Sequence, residues 1–197
     1  MKKTIQIALL FGLISLGHFS SAFAINLEIN VVPANQTFSV GQQFTADIVV
    51  SDLSASNEIV SAFDLDISYD AAIIGITGIL FDISLGSSFQ DDILSLGLVE
   101  LAEISLEQDS ALGVLQGDSV RLASLFFDAV SEGVGNISFL QTDVVGRNAQ
   151  DIVFDMIDHA SVTVSNTISI PNSGTLILML TGVLWLGFKR IFRSACS

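Results

Sequence analysis

Hydrophobic and polar residues alternate through the middle of the chain, and this two-residue period predicts β-strands. The clearest example runs from Phe63 to Tyr69, where every second residue is apolar. Asp64 and Asp66 fall on the polar side of this strand and are therefore expected to face solvent. Nine short strands are predicted, at residues 26–31, 44–50, 63–69, 73–81, 98–106, 120–130, 137–139, 152–154 and 161–165.

The segments between these strands predict turns and one long connection. A turn at Gly41 precedes the second strand, and Gly75 with Gly78 predicts a bulge or a close backbone approach in the fourth. Residues 82–97 are rich in Ser, Gly and Asp and predict a long connection with a helical turn around 91–96. The strongly apolar stretch 120–130 predicts a central strand buried on much of both faces. Many short strands with hardly any helical period indicate an all-β sandwich over residues 25–165.

The N-terminal 24 residues have the three parts of an export signal. Lys2 and Lys3 form a cationic start, residues 5–16 are apolar apart from Gln6 and Ser15, and Ala22-Phe23-Ala24 is a small-x-small cleavage site. We therefore expect a signal peptide at 1–24, with Ala22 and Ala24 at the cleavage site and a mature protein beginning at Ile25. An uncleaved N-terminal anchor is the alternative.

The C-terminal end predicts a membrane segment. Residues 175–188 are apolar, but at about 1.5 Å per residue they form only about 21 Å of helix. Extending the segment to residue 192 gives a transmembrane helix, with Trp185 near the headgroups. The flanking cations Lys189, Arg190 and Arg193 predict a cytoplasmic end and place residues 25–165 outside the membrane. A buried C-terminal helix is the alternative, although this segment lacks an amphipathic stripe.

Charge separates the middle of the chain from its ends. The whole chain has a formal charge of −14, but all 21 acidic residues lie between Glu28 and Asp158. Only Arg121 and Arg147 balance them there, which gives this region a formal charge of −19. Such a surface repels nucleic acids and anionic polymers. The only cysteine, Cys196, lies beyond the apolar tail, so the sandwich must be stable without a disulfide.

Candidate catalytic chemistry is scarce in the region 25–165. His159 is its only histidine, without a second histidine or a cysteine to complete a zinc site, and no Gly-x-Ser-x-Gly or phosphate-binding glycine loop is present. Paired carboxylates leave hydrolysis as a third hypothesis, but the aromatic subsites typical of glycosidases are missing. Tyr69 is the only tyrosine or tryptophan there that could stack on a sugar. No enzymatic activity is expected.

Calcium is the one ligand that the acidic residues suggest. Asp64 and Asp66 lie two residues apart on one strand face, Asp70 follows at the strand end, and Asp91-Asp92 lies in the predicted connection. Carboxylate clusters of this kind suit a hard cation. No Asp-x-Asp-x-Asp-Gly loop is present, so a solvated acidic face is the competing interpretation, and no cofactor is otherwise expected.

The order of these elements resembles that of the cohesin domain. The resemblance covers nearly all of residues 25–165 and rests on Val40-Gly41-Gln42-Gln43-Phe44, the segments 62–70 and 122–129, and Gly133-Val134-Gly135-Asn136-Ile137-Ser138. It implies a nine-stranded jelly-roll sandwich. In cellulosomal relatives that fold binds dockerin modules, but none of their contact positions can be carried over to this sequence.

The C-terminal segment resembles the sorting signals of the PEP-CTERM class. The sequence Ile170-Pro171-Asn172-Ser173-Gly174 is followed by the apolar run and then by the basic residues. The commonest form of this signal has Pro-Glu-Pro, and this chain lies nearer the variant Val-Pro-Asp-Ser-Gly. The resemblance implies an exosortase-type processing enzyme acting near residues 171–174, after a linker that begins at 166.

Two functions are compatible with these observations. The first is an exported, non-enzymatic protein of the cell surface or extracellular matrix, at least transiently membrane-anchored, whose sandwich is a structural or interaction module. The second is a binding module for a dockerin-like protein or a carbohydrate. The net charge predicts no nucleic-acid partner.

Overall fold

The computed structural model describes residues 24–34 and 37–166, which form a β-sandwich of two sheets. Two short helices, α1 (Leu53–Ser56) and α2 (Asp109–Leu115), lie in its connections. The strands are β1 (Asn26–Val32), β2 (Thr37–Ser39), β3 (Gln43–Ser51), β4 (Ala62–Tyr69), β5 (Ile74–Phe81), β6 (Ser88–Ser95), β7 (Leu98–Ser105), β8 (Val120–Ala129), β9 (Gly133–Val145), β10 (Met156–Asp158) and β11 (Ala160–Ser165).

The strands divide into a five-stranded sheet A, in the order β10-β1-β3-β8-β5, and a six-stranded sheet B, in the order β2-β11-β9-β4-β7-β6. Most neighbours are antiparallel, whereas β1 with β10 and β11 with β2 are parallel pairs. The all-β sandwich predicted from the sequence is confirmed. Its strand count in the described residues is eleven rather than nine, because β2 and β6 were not predicted.

The core lies between the two sheets and follows the alternation in the sequence. Phe44, Ala46, Ile48 and Val50 of β3 are all buried, and the residues between them point outward. From sheet B, the buried residues of β4 are Phe63, Leu65, Ile67 and Tyr69. Aromatic rings of the two sheets meet in the core. The ring centroid of Phe127 in sheet A lies 5.4 Å from that of Phe44 in sheet A and 5.5 Å from that of Tyr69 in sheet B. Each sheet therefore buries one face and leaves the other free.

Strand β8 contains the apolar stretch 120–130, in which apolar and polar residues do not alternate. It lies between β3 and β5, as predicted for a central strand, and on its outer face Arg121 and Phe126 are exposed whereas Ser124 is buried. The pairing of β8 with β3 shifts register between Ile48 and Val49, so that Ile48 pairs with Ala123 and Val49 with Arg121. The extra residue, Leu122, adds to the core without breaking the sheet. The bulge predicted around Gly75 and Gly78 is confirmed as a register shift between Ile76 and Gly78.

The connection predicted over residues 82–97 is wrong in its main part. It contains a short 3-10 helix, Ile83–Leu85, and then the edge strand β6, where a helical turn was expected. As an edge strand β6 is exposed along most of its length and has no apolar alternation. The strand predicted at 152–154 is displaced to β10, at Met156–Asp158.

An ion-pair network joins this connection to sheet A. Arg121 donates from Nε and Nη2 to Oδ2 of Asp82, at 3.0 and 2.8 Å, and lies 3.6 Å from Asp47. Burial raises the pKa of Asp82, but hydrogen bonds from Ser84 and Arg121 and the charge of Arg121 outweigh that effect and leave the pKa below its ordinary value. The same contacts raise the pKa of Arg121, against a smaller opposing effect of burial.

Several sequence predictions fall outside the described residues. These are the signal peptide with Ala22, the sorting motif 170–174, and the helix 175–192 with its flanking cations. Ala24 is described, but its cleavage is not a structural observation. Within the described ranges, no helix is long and apolar enough to cross a membrane.

Candidate functional site

The outer surface of β9, β4, β7 and β6 carries a regular array of side chains, which we call the acidic face. Strand register places its residues in three rows, each crossing the four strands in that order. The first row is Val145, Ala62, Ile104 and Phe89; the second is Asp143, Asp64, Ala102 and Asp91; the third is Gln141, Asp66, Glu100 and Ile93.

The first two rows surround a shallow depression of about 300 Å³. Two alanines, Ala62 and Ala102, form its floor because their side chains are short. Phe89 and Ile104 stand beside it and are 67% and 55% exposed, respectively. Large apolar side chains left open around a concavity are typical of a contact site for another molecule.

Carboxylates oppose one another on this face without a neutralising cation. Asp64 pairs directly with Asp143, and Asp66 pairs directly with Glu100. Like charges directly opposite in an antiparallel pair destabilise a sheet. Both arginines of the described region lie elsewhere, since Arg121 is held by Asp82 and Asp47 on sheet A and the Nε of Arg147 donates to the carbonyl of Asn57. The folded protein therefore tolerates repulsion here.

The calcium candidates do not form a single cluster, although Asp64 and Asp91 share the second row of the acidic face. Asp64 and Asp66 face solvent, as predicted, but they lie in neighbouring rows of the acidic face. Asp70 follows β4, and its Oδ1 accepts a hydrogen bond from the Ala72 amide, which closes a local turn. Among the residues that the structure describes, no group of three His, Cys, Asp or Glu side chains could hold a metal ion.

The two other sequence candidates have local structural roles. His159 is exposed between β10 and β11, and its Nδ1 accepts a hydrogen bond from the Phe139 amide at 3.3 Å. Tyr69 is only 9% exposed, so its ring is not available to stack on a sugar. Its ring packs against Phe127, and its hydroxyl donates to the carbonyl of Ser95 at 3.1 Å.

Sequence reasoning missed the residues that shape the depression. Phe89 lies on β6, where the sequence predicts a connection, and Asp91, a calcium candidate, lies on the same strand. Asp143 lies beyond the predicted strand 137–139, and the exposure of Ile104 does not follow from the predicted strand 98–106. Glu103 was also missed, because it occupies a core position of β7. It is 2% exposed, and its Oε1 accepts from Ser88 Oγ at 2.6 Å and Gln90 Nε2 at 2.8 Å. Its Oε2 is buried and has no hydrogen-bond partner in the described structure.

Solved structures of cohesin domains share this fold. A type II cohesin domain from the cellulosome of Acetivibrio cellulolyticus superposes with a TM-score of 0.58 at 20% identity, over 73% of this chain and 96% of that one. A cohesin module of a Clostridium perfringens family 33 glycoside hydrolase gives a TM-score of 0.55 at 16% identity, over 73% and 98%. A type I cohesin–dockerin complex from Clostridium thermocellum gives 0.53 at 10% identity, over 72% and 99%.

These superpositions establish a cohesin-like fold, and at 10–20% identity they do not establish a shared function. No protein-family model matches the chain, and no curated protein is similar to it in sequence. The predicted cohesin-like architecture is confirmed, whereas the nature of any partner has to be argued from the surface of this chain.

Proposed function

We propose that this chain is an exported, non-enzymatic interaction module that binds a dockerin-like protein through the acidic face. The observation that carries the proposal is the pair of unneutralised carboxylate contacts, Asp64 with Asp143 and Asp66 with Glu100, beside an open apolar depression. One of the cohesin structures that share the fold was solved as a cohesin–dockerin complex, which supports a protein partner.

The charge and the apolar depression of the acidic face indicate which side chains a partner would need. Lysine or arginine side chains between Asp64, Asp143 and Asp91 would turn repulsion into attraction. An apolar side chain would fill the depression over Ala62 and Ala102, next to Phe89. We therefore expect a partner whose contact surface has one apolar anchor flanked by basic residues.

Export and sorting belong to the same proposal and rest on the sequence. The signal peptide at 1–24 would place the sandwich outside the cell, and an exosortase-type enzyme would process the tail near Pro171 to Gly174. The helix 175–192 would hold the protein in the membrane before processing. The product would be a component of the cell surface or extracellular matrix. Cell fractionation and mass spectrometry of the mature C-terminus test this part, and an uncleaved chain in the cytosol would contradict it.

The interaction is tested with paired variants of the full chain. The test variant Asp64→Asn/Asp143→Asn removes two charges from the acidic face, and Glu132→Gln/Asp155→Asn removes two from exposed positions away from it. Proteins of the organism's secreted fraction are captured on each form and identified, and the strongest candidate is purified. Its dissociation constant is then measured by titration calorimetry.

We expect one-to-one binding by the wild type and by the control, and at least about tenfold weaker binding by the test variant, since each lost charge contact is worth about 1 kcal/mol. Binding should also weaken steeply with added salt. A partner that binds both double variants equally well would show that the acidic face is not the contact surface.

A further inference from the structure

The outer surface of sheet A contains a second cleft, on the opposite side of the sandwich from the acidic face. It has a volume of about 420 Å³ and is lined by Val32, Gln43, Phe44, Thr45, Thr77, Gly78, Phe126 and Phe127. We call it the sheet A cleft. Strand register places Val32, Thr45, Phe126 and Gly78 in one row across β1, β3, β8 and β5. Its size falls within the range of small-molecule sites.

Phe126 forms an aromatic wall that the sequence of β5 makes possible. A Cβ added to Gly78 would lie 3.8 Å from Cδ2 of Phe126, so the ring occupies the space above the glycine. Thr77 is the extra residue of the adjoining bulge, and its hydroxyl donates to the Phe126 carbonyl at 3.1 Å. The ring remains 38% exposed. A ring supported by the sheet and partly open to solvent can stack on a flat apolar ligand surface.

Polar groups beside this ring keep free hydrogen-bonding capacity. The Gln43 amide and the Thr45 hydroxyl make no side-chain hydrogen bond with the other residues that the structure describes.

The charge of the cleft selects between classes of ligand. None of its lining residues is ionisable, in a region whose formal charge is −19. A cationic ligand would find stronger attraction at the acidic face, and an anionic one would meet no counter-charge. A neutral sugar offers C–H groups to an aromatic ring and hydroxyls to amide and hydroxyl groups, which is the combination that the cleft provides.

We propose that the sheet A cleft binds a neutral carbohydrate, with Phe126 stacking on a sugar ring and Gln43 and Thr45 binding its hydroxyls. Tyr69, the only tyrosine of the chain, lies in the core and takes no part in this site. The sheet A cleft is independent of the acidic face, so the chain could bind a protein on one side and a polysaccharide on the other.

Affinity gel electrophoresis of the full chain in detergent tests the proposal. The gels contain a mixed-linkage β-glucan, a xylan, a galactomannan or, as an anionic comparison, polygalacturonate. We expect at least one neutral polysaccharide to retard the wild type. Phe126→Ala should weaken that binding about tenfold or more, because stacking and its buried area together exceed about 1.4 kcal/mol. Phe89→Ala removes an exposed phenylalanine from the acidic face and should leave retardation unchanged.

A smaller variant keeps the test valid if Phe126→Ala unfolds. Gln43→Ala removes only an exposed amide, so it should preserve the melting temperature and weaken retardation several-fold. The proposal is overturned if none of the three neutral polysaccharides retards the wild type, or if Phe126→Ala and Phe89→Ala change retardation equally. Loss of protein binding by Phe89→Ala with intact retardation would separate this site from the acidic face.

Discussion

Asp64→Asn should stabilise the isolated protein while weakening its interaction with a partner. Asp64 is exposed, makes no side-chain hydrogen bond among the described residues, and lies directly opposite Asp143. Carboxylates on directly opposed residues are about 6 Å apart, and their repulsion in water is then about 0.7 kcal/mol. At an ionic strength of about 0.15 M, where the Debye length is about 8 Å, roughly half of this remains. Asparagine keeps the shape of the side chain and removes the repulsion.

Urea unfolding at low and high ionic strength measures this effect. At about 10 mM salt the free energy of unfolding should rise by about 0.5 kcal/mol, which corresponds to an increase of roughly 2 °C in melting temperature. At about 1 M salt, where the Debye length is about 3 Å, the difference should disappear. Glu132→Gln, a charge removal in an exposed connection, should give a smaller gain. Unchanged or reduced stability at low salt would refute the repulsion argument, and a gain that persists at high salt would assign it to another cause.

Three further substitutions test the connections and the ion pair. Gln116→Ala should lower the free energy of unfolding in urea by about 2 kcal/mol. The reason is that Oε1 of Gln116 accepts from the N–H of buried Val60 at 2.8 Å and Nε2 donates to its carbonyl at 2.7 Å. Gln116→Glu should be destabilised as well, since a carboxylate cannot donate the second hydrogen bond. Asp82→Asn should cost about 1 kcal/mol at pH 7, a modest value because Arg121 is 47% exposed. The pKa of Asp82 in the folded protein lies below the ordinary 3.8. The stability difference between the wild type and Asp82→Asn should therefore be complete above pH 3.8 and vanish as the pH falls through the folded pKa. A stability difference that stays constant in acid would contradict this prediction. Gly41→Ala should cost about 1 kcal/mol through backbone strain alone, because φ is +84° and a Cβ there would meet nothing within 4 Å; an unchanged melting temperature would contradict this.

The sequence predicts the parts of the fold in which one strand face is buried. Alternation identified β1, β3 and β4 because their apolar residues enter the core at every second position. The same reasoning failed for β6, an edge strand that contributes little to the core and so shows no apolar period. It also misplaced β10, a three-residue strand whose side chains are all exposed. The alternation of apolar and polar residues therefore reveals a strand only where one of its faces is buried.

The acidic face could be predicted only in part, for a related reason. The outward direction of Asp64 and Asp66 follows from the period of β4 alone. Their like-charged neighbours Asp143 and Glu100 come from β9 and β7, and pairing between strands distant in sequence depends on register that one sequence does not reveal. Phe126 was assigned to a central strand, but its exposure depends on Gly78, which lies almost 50 residues earlier in the chain.

The proposed membrane anchor would favour use of the acidic face. Strand β11 ends at Ser165 beside Ser39, and its neighbour Val164 pairs with Gly133 at the start of β9. Asp143 lies ten residues further along β9, about 30 Å away at the usual rise of a strand. A tail that continues from residue 166 towards a membrane would therefore hold the depression between Ala62 and Phe89 at the far end of the sandwich. A partner could then reach the acidic face without meeting the bilayer, which matters because a region of charge −19 is repelled by anionic lipid.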